Sequence, residues 1–181
     1  VEYHMLELKD KKILIAYFSR AGENYVNNAV EKLKVGNTKV AAYKIQSLVK
    51  GDLFKIVPKK SYSDEYRKCV LEAKDEYNEN TRPDIKGKVN DFDSYDIVFL
   101  GYPNWMGTCP MPVFTFLESY DFKDKIILPF CTNEGSGAGN SLEDIKKSAP
   151  TATVLNSLSL RGSQIDDSDD KIKEWLKKIA D

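Results

Sequence analysis

Three short stretches combine hydroxyls, amides, glycines and aromatic rings in patterns that suit ligand binding. The first is Ser19-Arg20-Ala21-Gly22, followed some distance on by Gly36-Asn37-Thr38-Lys39 at the start of a helical pattern. Hydroxyls, a glycine-permitted turn and the unpaired N–H groups of a helix start are what a phosphate dianion needs. The same residues also describe an ordinary strand-to-helix turn with a capped helix, and both readings stand at this point. A P-loop is excluded, because no G-x-x-x-x-G-K-[ST] occurs. The second stretch runs from Gly101 through Tyr102, Pro103, Asn104, Trp105, Met106, Gly107 and Thr108 to Cys109-Pro110. Aromatic rings after a strand, with glycines and prolines shaping the backbone, suit a platform for a planar ring. Such stacking contributes about 0.5–1.5 kcal/mol beyond area burial. Trp105 and Met106 can also simply cover the end of a sheet, but the polar Asn104 and Thr108 beside them favour a ligand. The third stretch is Thr132-Asn133-Glu134-Gly135-Ser136-Gly137-Ala138-Gly139-Asn140-Ser141. It is not a dinucleotide fingerprint, since Asn140 stands where the last glycine of G-x-G-x-x-G belongs. Nor is it a nucleophile elbow, since Glu134 stands where G-x-S-x-G needs glycine. Its glycines let backbone N–H groups approach a ring edge closely, or else make a flexible connection.

Other chemistries have little material. The only histidine among 181 residues is His4, ahead of the first strand pattern, which weakens Ser-His-Asp, Cys-His and His-metal readings together. Cys69, Cys109 and Cys131 are odd in number and far apart, so neither a disulfide framework nor a zinc spacing is present. With 27 basic against 28 acidic residues, the chain has no general attraction for nucleic acid or anionic membrane. A hydrophobic fraction of 41% is too high for a disordered chain, and no apolar run approaches the ~20 residues of a membrane span. The opening dozen residues are polar and lack a signal-peptide pattern. A single domain over residues 1–181 in the cytoplasm is the expectation.

The elements that must hold these stretches can be read from periodicity. Ile13–Phe18, Ile97–Leu100 and Ile126–Phe130 are nearly continuous apolar runs, as for strands covered on both faces. Leu53–Val57, interrupted by Lys55 and stopped by Pro58, and the mixed Thr153–Leu160 read as edge strands. Between them lie helical patterns at Thr38–Val49 (with Gly51 as its stop), Ser63–Tyr77, Pro110–Leu117, a segment opened by a Ser141/Asp144 capping box, and Asp169–Ala180. The run from Lys59 to Tyr66 reads as an interface or the lead-in to a solvated helix. This β-α alternation predicts a doubly wound parallel sheet with helices on both faces. In such sheets ligands sit at strand carboxyl ends near the point where strand order reverses, and the three stretches occupy those ends.

Taken together, AYFSRAGENYV, VGNTK, DLFKIVP, FLGYPNWMGTCPMPVFTFLE and PFCTNEGSGAGNS resemble the flavodoxin-like FMN-binding proteins, in particular a short bacterial branch with a split phosphate loop. The resemblance covers Lys11 to about Ala180. It implies a flavodoxin-like five-stranded parallel sheet of order 2-1-3-4-5 with FMN as cofactor. By the same resemblance Ser19, Arg20, Ala21 and Gly22 supply one half of the phosphate loop, and Asn37 and Thr38 the other. The intervening Glu23–Gly36 departs from the compact family loop and is expected to fold as a flap, with Tyr25 its contact to the flavin. Pro103, Asn104, Trp105, Met106 and Gly107 are implied to lie along the isoalloxazine, with Trp105 stacking. Thr132, Asn133, Glu134, Gly135 and Gly137 are implied to border its other edge. Glu134 either lowers the flavin potential from beside the pyrimidine or caps a backbone turn. Cys109 and Cys131 are expected to be buried and inert.

Two functions follow. One is an FMN oxidoreductase passing electrons from NAD(P)H to a quinone-type acceptor; the other is a non-enzymatic electron carrier between protein partners. Near-neutral charge slightly disfavours a carrier steered onto basic partners. A receiver-type signalling domain would share the topology, but Phe18-Ser19-Arg20 and Leu100-Gly101-Tyr102 lack the acidic residues it needs.

Overall fold

A computed structural model describes residues 8–180; the leading segment that carries His4 lies outside them. The sheet is built from β1 (Ile13–Tyr17), β4 (Asp52–Lys55), β5 (Ile97–Pro103), β6 (Ile126–Asn133), β7 (Thr153–Val154) and β8 (Leu158–Arg161). All pairings are parallel, in the order β4-β1-β5-β6-β7, with β8 also on β6. Counting β7 and β8 as one broken strand, this is the expected 2-1-3-4-5 order.

Alternation along the buried strands makes two cores, one per face. Ile13, Ile15 and Tyr17 join Ile97, Phe99, Leu128 and Phe130 on one side. There α1 (Asn37–Val49) contributes Ala41, Ala42 and Ile45, and α5 (Asp169–Ala180) contributes Ile172, Trp175, Leu176 and Ile179. Leu14, Ala16 and Phe18 face the other side with Val98, Leu100 and Tyr102, under α3 (Met111–Glu118) and α4 (Ser141–Ser148). The fifth helix, α2 (Tyr66–Glu79), buries only Cys69 and Ala73, and Tyr77, at the end of the expected helical pattern, is 46% exposed. Lys59–Tyr66 is its lead-in.

Four local expectations change. The last edge strand is interrupted between Val154 and Leu158, where the Asn156 carbonyl accepts a hydrogen bond from the Trp175 indole instead of continuing the ladder. Helix α1 stops at Lys50 in the left-handed conformation; Gly51 serves instead to let the chain pass against Ile13. The capping box does not form, because Ser141 bonds the Tyr102 hydroxyl at 2.8 Å and Asp144 accepts from Thr108 at 2.6 Å. Finally, the segment after Ala21 is an antiparallel hairpin, β2 (Gly22–Val26) and β3 (Ala29–Leu33), turning at Asn27-Asn28 with positive φ at both. This is the two-residue turn geometry that asparagine tolerates. Among the described residues no helix is long and apolar enough to cross a membrane.

Candidate functional site

At the carboxyl ends of β1, β5 and β6 lies a cleft of about 310 Å³. One end is the start of α1. Its N-cap, Gly36, has no side chain to cap the helix, and Ser19 from the end of β1 does so instead, accepting the Lys39 amide at 3.0 Å. A Cβ on Gly36 would stand 2.3 Å from that hydroxyl oxygen and 2.7 Å from the Arg20 carbonyl, so glycine is what allows the approach. The amides of Asn37 and Thr38, which line the cleft, have no hydrogen-bond partner among the described residues. Two free amides at the positive end of a 13-residue helix, beside a buried Thr38–Thr132 hydroxyl pair at 2.7 Å, form a cradle for an anion.

The other end is aromatic. Trp105 packs edge-to-face on Phe18 and Tyr62, with ring centroids 5.1 Å apart in each case, and its remaining surface lines the cleft. Trp105 and Thr108 exchange two backbone hydrogen bonds around Met106-Gly107, both at positive φ. Methionine in that conformation costs on the order of 1–2 kcal/mol. Asn104 ties this loop to the next one, donating to the Gly137 carbonyl at 2.7 Å and accepting from the Gly107 amide at 2.9 Å. Asn133 accepts from the amides of Gly135 and Gly137 at 2.9 and 3.0 Å. The two loops are therefore preorganised before any ligand arrives.

Of the residues singled out in the sequence, Ser19, Arg20, Tyr25, Asn37, Thr38, Pro103, Asn104, Trp105, Thr132, Asn133 and Glu134 all line this one cleft. Ala21, Gly22, Met106, Gly107, Gly135 and Gly137 do not. For the last three the reason is visible, as their amides are already turned onto Asn104 and Asn133. Four lining residues escaped sequence reasoning: Asn24, Tyr66, Ser136 and Gly162. Gly162 follows β8, a strand end that carries none of the three ligand-type stretches; a Cβ there would come within 2.5 Å of Asn37 Nδ2 and 2.7 Å of Glu134 Oε2.

The hairpin lies against this cleft and is tied at three points. Arg20 donates through its terminal nitrogens to the carbonyls of Glu23, Ser63 and Asp64. Glu23 accepts the Tyr66 amide at 2.8 Å, capping α2 from the hairpin. Glu134 accepts the Asn27 amide at 2.7 Å with one oxygen and the Ser163 amide at 2.9 Å with the other. Of the two readings of Glu134, the backbone cap is the one these contacts describe. Tyr25, 46% exposed, lies over Tyr66 at 6.4 Å between centroids. All three cysteines are buried, and burial pushes the Cys131 thiol up to about 12 and Cys109 well above its ordinary value.

The family model described as Flavodoxin matches residues 12–179. A solved structure from Bacteroides eggerthii DSM 20697, provisionally described as a flavoprotein, shares 32% identity over 95% of this chain and 99% of its own, with a TM-score of 0.76. One from Bacteroides uniformis ATCC 8492, described in the same way, shares 26% identity over 92% and 98%, TM-score 0.73. A flavoprotein from Lactobacillus acidophilus NCFM, solved in complex with FMN, shares 25% identity over 90% and 99%, TM-score 0.66. No curated protein matches the sequence significantly.

Proposed function

The chain belongs to the flavodoxin family, and on that premise we propose that it is an FMN-dependent oxidoreductase whose cofactor occupies the cleft between the first turn of α1 and the Trp105 loop. The observation that carries this reading is the cleft's polarity: unpaired helix amides at one end and a preorganised aromatic platform at the other. The residues fit the group. Ser19 and the amides of Asn37 and Thr38 hold the phosphate, with α1's dipole favouring its charge. Trp105 covers a ring face, while Asn104 and Asn133 fix the loops on either side. FMN so bound supplies one- and two-electron transfer, and no side-chain nucleophile is needed. The chain's own part is to orient that ring, set its polarity and exclude water from it. The donor in this reading is NAD(P)H and the acceptor a quinone-type molecule.

An anaerobic titration of FMN-loaded protein with NADH and NADPH, followed in the visible band, tests the reading. Rapid bleaching supports an oxidoreductase and identifies the donor. A band that persists with both nucleotides and falls only with dithionite or a partner reductase marks an electron carrier. A chain that does not retain FMN overturns the cofactor assignment.

A further inference from the structure

Beside the main cleft lies a second, smaller cavity of about 170 Å³. The two share Arg20, Asn24, Tyr66, Asn104 and Trp105. Its floor is apolar and comes from one face of α2, where Cys69, Val70 and Ala73 follow Tyr66 at helical spacing. Small side chains at Cys69 and Ala73 leave the space that bulkier residues would fill. Met106 closes one side from its positive-φ turn. The polar wall keeps donors and acceptors without a partner among the described residues, Arg20 Nε–H and Asn24 Oδ1 among them. Arg20 spends only its terminal nitrogens on carbonyls, leaving Nε–H without a partner among the described residues. Asn24 spends only its amide nitrogen, on the carbonyls of Arg20 and Gly22, leaving Oδ1.

We propose that this cavity is a subsite for a single six-membered ring bearing a carbonyl-type oxygen, held against the occupant of the main cleft. Size argues for one ring, since an apolar cavity of about 150 Å³ admits benzene. The wall argues for the oxygen: Nε–H donates to it, and Asn24 Oδ1 accepts an adjacent N–H or O–H. A ring oxygen facing Nε–H is common to the nicotinamide of a dinucleotide donor and the one-ring quinone of an acceptor; the donor to Asn24 Oδ1 is the carboxamide N–H of the first and the O–H of the hydroquinone form of the second. This inference rests on the proposed function, because it names the substrate ring of that same site.

The test uses the full chain, with and without FMN, titrated under anaerobic conditions with nicotinamide and, separately, hydroquinone. NMR follows the methyl groups of Val70, Ala73 and Met106. The expected result is saturable movement of these signals that persists in FMN-loaded protein. Ala73→Leu fills the cavity and should weaken ring binding at least tenfold, with FMN affinity changed less than twofold. Should that variant fail to fold, Val70→Phe and the wild-type methyl map carry the test. Response to nicotinamide alone identifies the donor's ring, to hydroquinone alone the acceptor's, and to both a site that serves each in turn. The proposal is overturned if neither ring moves these methyls, if loading FMN abolishes the movement, or if filling the cavity leaves ring affinity unchanged. Failure to retain FMN would sink the proposed function, while the ring titration of the FMN-free chain would still decide the subsite.

Discussion

Replacing Gly36 by alanine adds one methyl where Ser19 reaches across to cap α1. The backbone at Gly36 has φ −64° and ψ 149°, which alanine adopts freely, so the effect is steric. The new Cβ meets Ser19 Oγ at 2.3 Å, the Arg20 carbonyl oxygen at 2.7 Å and its carbon at 2.9 Å. Ser19 can rotate away, at the loss of its bond to the Lys39 amide, worth about 1 kcal/mol. The Arg20 backbone cannot rotate away; it must retreat by about 0.5–1 Å to reach ordinary contact distance. Overpacking of this kind costs about 1–3 kcal/mol, so the variant should lose about 2–4 kcal/mol in all. For a chain of this length each kcal/mol lowers Tm by about 2–4 °C. Because the displaced groups form the proposed phosphate cradle, the FMN Kd should rise at least tenfold. Gly51→Ala is the matched control. Its Cβ meets Ile13 Cγ2 at 2.9 Å and the Ile13 carbonyl at 3.0 Å, just past the other end of the same helix. It should lower Tm while leaving FMN affinity alone. The pair is read by thermal melts and by quenching of FMN fluorescence. If Gly36→Ala melts early but binds FMN as tightly as Gly51→Ala does, the phosphate does not sit at the start of α1 and the reasoning fails.

Three further outcomes are expected. Glu134→Ala should speed hydrogen exchange at both the Asn27 and the Ser163 amides, each bond being worth about 1–2 kcal/mol, or roughly five- to thirty-fold; a change at one amide alone would contradict a shared clasp. Burial raises the Glu76 carboxyl above its ordinary value, against the lowering effect of the Tyr62 hydroxyl. The folded state then holds its proton to higher pH than the unfolded state, so stability falls as pH rises from the unfolded pKa through the folded one. Denaturation profiles of Glu76→Gln should lose that part of the slope and show a stability gain at neutral pH. Burial also pushes Cys69 up to about 11, so at pH 8 a thiol reagent should leave Cys69, Cys109 and Cys131 unmodified in the folded chain and label all three in denaturant, as mass spectrometry will count.

The sheet was legible because its central strands are covered on both faces and therefore written as unbroken apolar runs. The hairpin was not, because β2 is mostly half-buried, β3 is largely exposed, and neither carries a strong alternation. Its only signal was Asn27-Asn28 with a single valine close on either side, Val26 and Val30. The position of the cleft followed from topology, since loops after β1, β5 and β6 must meet at one end of a parallel sheet. Individual roles within the loops did not follow. Whether an amide faces a ligand or its own loop depends on where Asn104 and Asn133 aim their oxygens, which spacing does not encode. Ser141 and Asp144 mislead for a related reason: a local capping pattern was outcompeted by partners far along the chain, Tyr102 and Thr108. Gly162 was not legible because the short turn at the end of β8, Arg161-Gly162-Ser163, carries none of the aromatic rings or clustered glycines that mark the other strand ends.

The two ends of the hairpin meet within the fold. Gly22 pairs with Leu33, and Ser19 reaches the helix that begins only four residues later, at Asn37. The excursion is thus closed at its neck, and its length is nearly decoupled from the cradle it interrupts. Doubling a closed loop costs only about 0.6 kcal/mol in chain entropy. The Asn27-Asn28 tip is therefore a port: a peptide spliced there stands beside the cleft while the neck keeps the helix start in place. A fluorophore or affinity tag at that point would report on cleft occupancy from outside.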